Sequence, residues 1–188
     1  MGGFKSGRGE QDGDLVISDG TIAADSYKGT VVGGITAYGS ATGASSTAEA
    51  TAASFTIAAN TLVAGDRLVI NCIGNFTAAG TPALVGKLKI SDGTTTHILH
   101  TLTNGSAASS GVQFSNVDTA FLSIGATARF SHNGMGSTGA AVSVAGGIHQ
   151  VIATTATITV SWTTQFDASH SSNTFTVREL SASRTSVS

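Results

Sequence analysis

From Gly29 to Gly65 the chain carries one charged residue, Glu49, in a run built almost wholly of Gly, Ala, Ser, Thr and Val. Such a run holds too little apolar surface to offset the entropy of ordering its own backbone. It stays loose or becomes ordered against something else. Roughly a hundred residues of short alternating segments follow it, spaced as strands and turns. The order is therefore a weakly self-folding arm ahead of a compact β domain. A body of roughly 130 residues buries about two-thirds of its unfolded surface, enough for a hydrophobic core.

Charge is sparse throughout, at 11% of residues against about 25% in ordinary soluble domains. Eight of the twenty charged residues fall in the first 28 positions. A surface of Ser, Thr, Asn and Gly gives little charge-based protection against association, which points to a surface covered in an assembly. A net charge of −2, a pI near 6.2 and scattered basic residues argue against a nucleic-acid partner, because phosphate binding needs clustered Lys and Arg. The lone cysteine, Cys72, excludes an intrachain disulfide and reads as a small buried hydrophobe within Val69 to Ile73. No apolar run resembles a signal peptide or reaches membrane-spanning length. The expectation is a protein made and assembled inside a cell, with no membrane partner.

Within the arm, residues 1–13 form a Gly-rich polar lead. Asp14 to Ser18 is a short apolar run ending at the turn signal Asp19-Gly20, and Thr30-Val31-Val32 precedes Gly33-Gly34 as a second small strand. Neither has an obvious partner nearby, so each is expected to dock on another surface. Thr42 to Ala53 reads as linker. The body then opens with the strand Phe55-Thr56-Ile57, and the Asn60 to Asp66 turn leads into Arg67 to Ile73. Leu84, Leu88 and Ile90 alternate with polar neighbours, and Asp92-Gly93 signals a hairpin into Thr95 to Thr103. Phe121 to Ser131 alternates cleanly, with Leu122, Ile124, Ala126, Ala128 and Phe130 on one side. Asn133-Gly134 ends it, and Val142 to Ile152 continues as strand with a bulge expected at Gly146-Gly147. Ile158, Val160 and Trp162 face inward, as do Phe175 and Val177. About eight strands with turns every 8–12 residues mark an antiparallel sandwich or barrel.

Several motifs suggest chemistry that their surroundings do not support. Gly134-Met135-Gly136-Ser137-Thr138-Gly139 spells the dinucleotide fingerprint, but β-prone residues follow it where a helix is needed, so it reads as a glycine loop. Met1 to Ser6 fits a myristoylation pattern without a polybasic second signal. Glu10, Asp12 and Asp14 alternate, yet Leu15 stands where a calcium loop needs glycine. His97 and His100 point to opposite faces of an ideal strand and cannot share a metal there. No nucleophile elbow accompanies the abundant serines. No cofactor, metal or catalytic residue is therefore assigned. Trp162, Phe166 and Asp167 are the candidate for stacking on a sugar, with a core role as the other reading of Trp162.

Three stretches carry a resemblance. They are Ala58-Ala59-Asn60-Thr61-Leu62-Val63-Ala64-Gly65-Asp66, then Thr154 to Trp162, then Ser172-Asn173-Thr174-Phe175-Thr176-Val177-Arg178-Glu179-Leu180. The chain from about 53 to 181 resembles the jelly-roll β-sandwich of structural proteins in tailed bacteriophage virions, including head decoration (cement) proteins and fibre or tail-tip proteins. The resemblance implies a non-enzymatic homotrimer located in the virion and assembled in the host cytoplasm, with the major capsid protein and copies of itself as partners.

The expected architecture is thus all-β. An extended arm (residues 1–52) precedes an antiparallel, jelly-roll-like β-sandwich (53–181) and a short tail (182–188). The expected function is capsid decoration, with Leu15, Val16, Ile17, Val31, Val32 and Ile35 of the arm as apolar anchors. The alternative is a tail fibre or baseplate module touching host glycans through Trp162, Phe166 and Asp167, or through loops at Gly105 to Gly111 and Asn133 to Gly139. Two expectations test the register and the arm. Leu122→Asp or Ile158→Asp should prevent folding, and removal of residues 1–50 should leave a folded sandwich.

Overall fold

The computed structural model describes residues 47–80, 82–105, 110–138 and 142–185, and the backbone of four strand segments before them. The strands are β1 (Ile17–Ser18), β2 (Thr21–Ile22), β3 (Gly29–Ile35), β4 (Ala41–Thr42), β5 (Ala50–Ile57), β6 (Arg67–Thr77), β7 (Leu84–Ser91), β8 (Thr96–Asn104), β9 (Ser110–Phe121), β10 (Ala128–Ser137), β11 (Val142–Ile152), β12 (Ile158–Phe166) and β13 (Thr174–Thr185). No helix occurs among the described residues. One sheet runs β11-β10-β9-β6-β13, with β3 and β4 both along the far side of β13. The other runs β5-β12-β7-β8, and every pairing is antiparallel. The expected all-β sandwich is what the chain forms.

Period-two burial explains why these segments are strands. Along β6, Leu68, Ile70, Cys72 and Phe76 face inward while Val69, Asn71, Ile73 and Asn75 stay partly exposed. Along β12, Ile158, Val160, Trp162 and Phe166 do the same. The two inner faces meet in one core, where Trp162 of one sheet stacks on Phe175 of the other, with centroids 6.2 Å apart and planes 18° from parallel. That stacking needs clearance. A Cβ on Gly74 would strike the Phe175 ring, and one on Gly86 would strike Trp162 and Gln113. Cys72 is buried, and desolvation pushes its thiol pKa well up, so it serves as a core hydrophobe.

Long-range pairing is nested. β6 pairs β13 and β7 pairs β12, so chain ends meet around a β9-β10-β11 meander and a β7–β8 hairpin. Asp92 holds the hairpin. Its carboxylate accepts from the backbone N–H of Thr94 (2.9 Å) and Thr95 (2.6 Å), and Gly93 takes the left-handed φ of 88° that a side chain resists. The backbone N–H of Ala153, after β11, donates to the same carboxylate at 2.8 Å, and these bonds keep its pKa low.

Several expectations are corrected. Phe121 to Ser131 is not one strand: β9 ends at Phe121 and β10 starts at Ala128. Leu122 and Ile124 sit in the intervening loop, Leu122 at 54% exposure. The alternation was real, but Gly125 at φ 110° breaks it into a turn. Asn133 and Gly134 lie inside β10 rather than at its end, because the missing side chain of Gly134 lets Val117 of β9 approach. The linker reading fails at its C-terminal end, where β5 begins at Ala50 and crosses the 52/53 boundary. The body likewise runs past 181, since Arg184 Nε of β13 lies 2.7 Å from the buried Asp66 carboxylate. The Gly-rich lead, Glu10, Asp12, Asp14, Leu15 and Val16 lie outside the described residues.

The one charge of the arm-like run has a definite task. Glu49 precedes β5 and reaches across β12 to pair with Lys87 (2.7 Å) and Lys89 of β7, while Thr163 Oγ1 donates to it at 2.6 Å. Partial burial works to raise its pKa, but the bonds from Lys87, Lys89 and Thr163 outweigh that and bring it from 4.5 down to about 2. The sign follows: a depressed carboxyl pKa stabilises the fold fully above about 4.5, and that contribution is lost as pH falls toward about 2. Glu49→Gln should therefore lower the melting temperature modestly at neutral pH and flatten its dependence between pH 4.5 and 2. Parallel melts of the two proteins across that window check it.

Candidate interaction surface

The residues expected to act fall into three places. Ile17 lies in β1, paired with Ile22 of β2, so the strands flanking Asp19-Gly20 find each other. Val31 and Ile35 lie in β3 opposite Ser183 and Leu180 of β13, and Val32 is the extra residue of a bulge between them. The segment expected to need a foreign sheet edge thus has one in its own body. Trp162 and Phe166 are fully buried, which matches the core reading and leaves no ring face for a sugar. Asp167 accepts a hydrogen bond from the Ala83 backbone N–H at 2.8 Å, closing the turn after β12. Of the two candidate glycan loops, 106–109 and 139–141 lie outside the described residues, and Asn133 to Ser137 is strand.

Histidines gather where β8 lies against β10 and β11. A bulge at Leu99 adds one residue to β8, which restores phase, so His97 and His100 oppose the inward Ile90 and Leu88 rather than facing apart. His100 Nδ1 lies 2.7 Å from Ser115 Oγ of β9, and its Nε2 lies 2.7 Å from Ser143 Oγ of β11. His97 Nε2 donates to the Val151 carbonyl at 2.7 Å, and its ring stands edge-on to Phe130. Desolvation lowers the pKa of both His100 and His132, each further lowered by a neighbouring histidine. The seam is a set of imidazoles stitching one sheet to the other. Among the described residues no group of His, Cys, Asp or Glu is placed to hold a metal ion.

The most unusual surface lies on β11, the edge of the larger sheet. Val142, Val144 and Ile148 are 77%, 80% and 78% exposed, the highest values of any large apolar side chain described. Ladder partners place them on the outer face. Val144 is opposite Met135 of β10 (57% exposed), Val142 is opposite Ser137, and Val151 is opposite Arg129. Their alternates, Ser143 and Gly147, turn in toward His100 and His132. β11 contains no charged residue and no proline. Edge strands of solitary domains ordinarily carry such residues to block pairing. Among the described residues its protection is a bulge, which falls at Ile148-His149 rather than at the expected Gly146-Gly147 and where His149 has φ 55°. The sequence showed the strand, but not that it forms an edge.

Across the same outer face, β13 has its own bulge at Arg178, beside Asn75, Thr77, Thr174 and Thr176 in a shallow polar depression. No family model, curated protein or solved structure matches the chain.

Proposed function

We propose that the chain is a non-enzymatic virion structural protein, a capsid decoration (cement) protein of a tailed phage acting as a trimeric sandwich with an N-terminal arm. The observation that carries this reading is the uncharged apolar strip on β11, a surface built to be covered. The resemblance of the turn and core motifs to virion sandwiches supports it. The mechanism is thermodynamic: a protein that binds only the assembled lattice stabilises it by about 2.7 kcal/mol per site at a hundredfold excess over Kd. Several weak sites on one oligomer then add through avidity. The arm contributes β3, whose ladder on β13 uses main-chain groups. Among the described residues no strand pairs with its other side, which would offer the same main-chain pattern to a strand of a capsid subunit.

Quantitative mass spectrometry of purified virions tests the assignment. A copy number near that of the major capsid protein is expected, and one at the level of tail components would overturn decoration. Arm removal gives a second check. Because Glu49 clamps β5 to β7, the truncation should stop at residue 46 rather than 50. The shortened protein should fold and lose binding to heads stripped of the native chain. Undiminished decoration by the truncated protein would remove the arm from the mechanism.

A further inference from the structure

We propose that the β11 edge and its outer face form the contact between copies of this chain, leaving the arm for the lattice. This rests on the reading of the chain as a self-assembling structural protein and names the surface that does it. Val142, Val144, Ile148 and Val151, with Met135 alongside, make a strip on the order of 500 Å², at the upper end of what a monomer leaves exposed. A stable interface hides about 800 Å² per partner, so the strip with its polar flank of Ser131, Asn133 and Ser137 supplies most of one.

The choice of occupant follows from charge. A strand from Val142 to Ile152 with no charged residue, and with Arg129 at its far end as the one charged ladder partner, offers a partner little to pair with ionically. Its complement must itself be uncharged and apolar. The largest such surface among the described residues is this strip, so a second copy is the partner the chain itself provides. Chemistry at the edge agrees. From Val142 to Gly147, ahead of the bulge, β11 has a ladder on its β10 side and, among the described residues, no strand paired on the other. Two edges brought together there exchange backbone hydrogen bonds while their valines pack side by side. Around a threefold axis, three strips converge instead, apolar against apolar. In either arrangement the same side chains are covered.

Sedimentation velocity of the full chain, over a concentration series and without phage heads, tests this. The wild-type protein should sediment as a homo-oligomer. The double variant Val142→Lys, Val144→Lys should sediment at the monomer mass of 18.6 kDa. Its thermal melting should show the same cooperativity, because both side chains are exposed in the isolated fold. Val63→Lys, at an exposed valine before β6, should leave the oligomer intact. A wild-type chain that is monomeric throughout, a double variant that keeps the wild-type mass, or dissociation by Val63→Lys would each overturn the proposal. Head binding is read separately: a chain that forms the oligomer through β11 yet fails to bind heads would sink decoration and leave this interface standing.

Discussion

Ile158→Asp should abolish the folded state. Ile158 opens β12 with its side chain fully inside the core, paired in register with Ile57 of β5. A carboxylate there has no cationic partner and must either ionise in an apolar surrounding or fold only as the protonated acid. The cost exceeds several kcal/mol, comparable to the whole 5–15 kcal/mol that holds a domain together. Near-UV circular dichroism should be featureless, and the denaturant curve should lose its cooperative transition. Leu122→Asp, in the loop between β9 and β10, is the matched control and should cost no more than about 0.5 kcal/mol. Equal damage by both would mean that Leu122 packs into the core.

Trp162→Ala ranks next. It removes the largest side chain of the core and the one that spans both sheets, so a loss of about 3–5 kcal/mol is expected from transfer and cavity terms together. For a chain of this length that corresponds to a fall in Tm of roughly 6–20 °C. Trp162→Phe should cost clearly less. It keeps an aromatic partner for Phe175, and the indole Nε1 has no hydrogen-bond partner among the described residues to lose. Chemical denaturation of the three proteins separates these cases. Equal losses for Ala and Phe would assign the stability to the indole edge rather than to the ring stack.

Legibility of the fold tracked how local its determinants were. Period-two alternation placed β6, β7, β12 and β13, because one face of each is core and the pattern is written in consecutive residues. The Asp92-Gly93 signal found its hairpin for the same reason. Alternation misled at Leu122 and Ile124, where one glycine with positive φ ends a strand that the pattern would continue. It misled again at His97 and His100, where a single bulge reverses which residues share a face. The arm was harder to read. Gly29 to Ile35 has little apolar content, and only the distant β13 supplies its ladder. Glu49 stood out as the lone charge, but its partners Lys87 and Lys89 lie about forty positions away in sequence. The strip on β11 was legible as residues and hidden as a surface, since edge position depends on the order of every other strand.

The nested ladders also fix a timetable. β6 completes its second flank only when β13 arrives, and Arg67 is matched with Thr185. At about 5–20 residues per second, a ribosome leaves β6 waiting roughly 5–20 s for that strand. During this interval the β9-β10-β11 meander can already assemble on one flank of β6, while the other flank stays open. Such distant pairings place the chain among slow folders, in milliseconds to seconds after release. The nascent chain is thus most open to strand exchange with a neighbour on the same message before β13 emerges, so copies translated together have the first opportunity to meet.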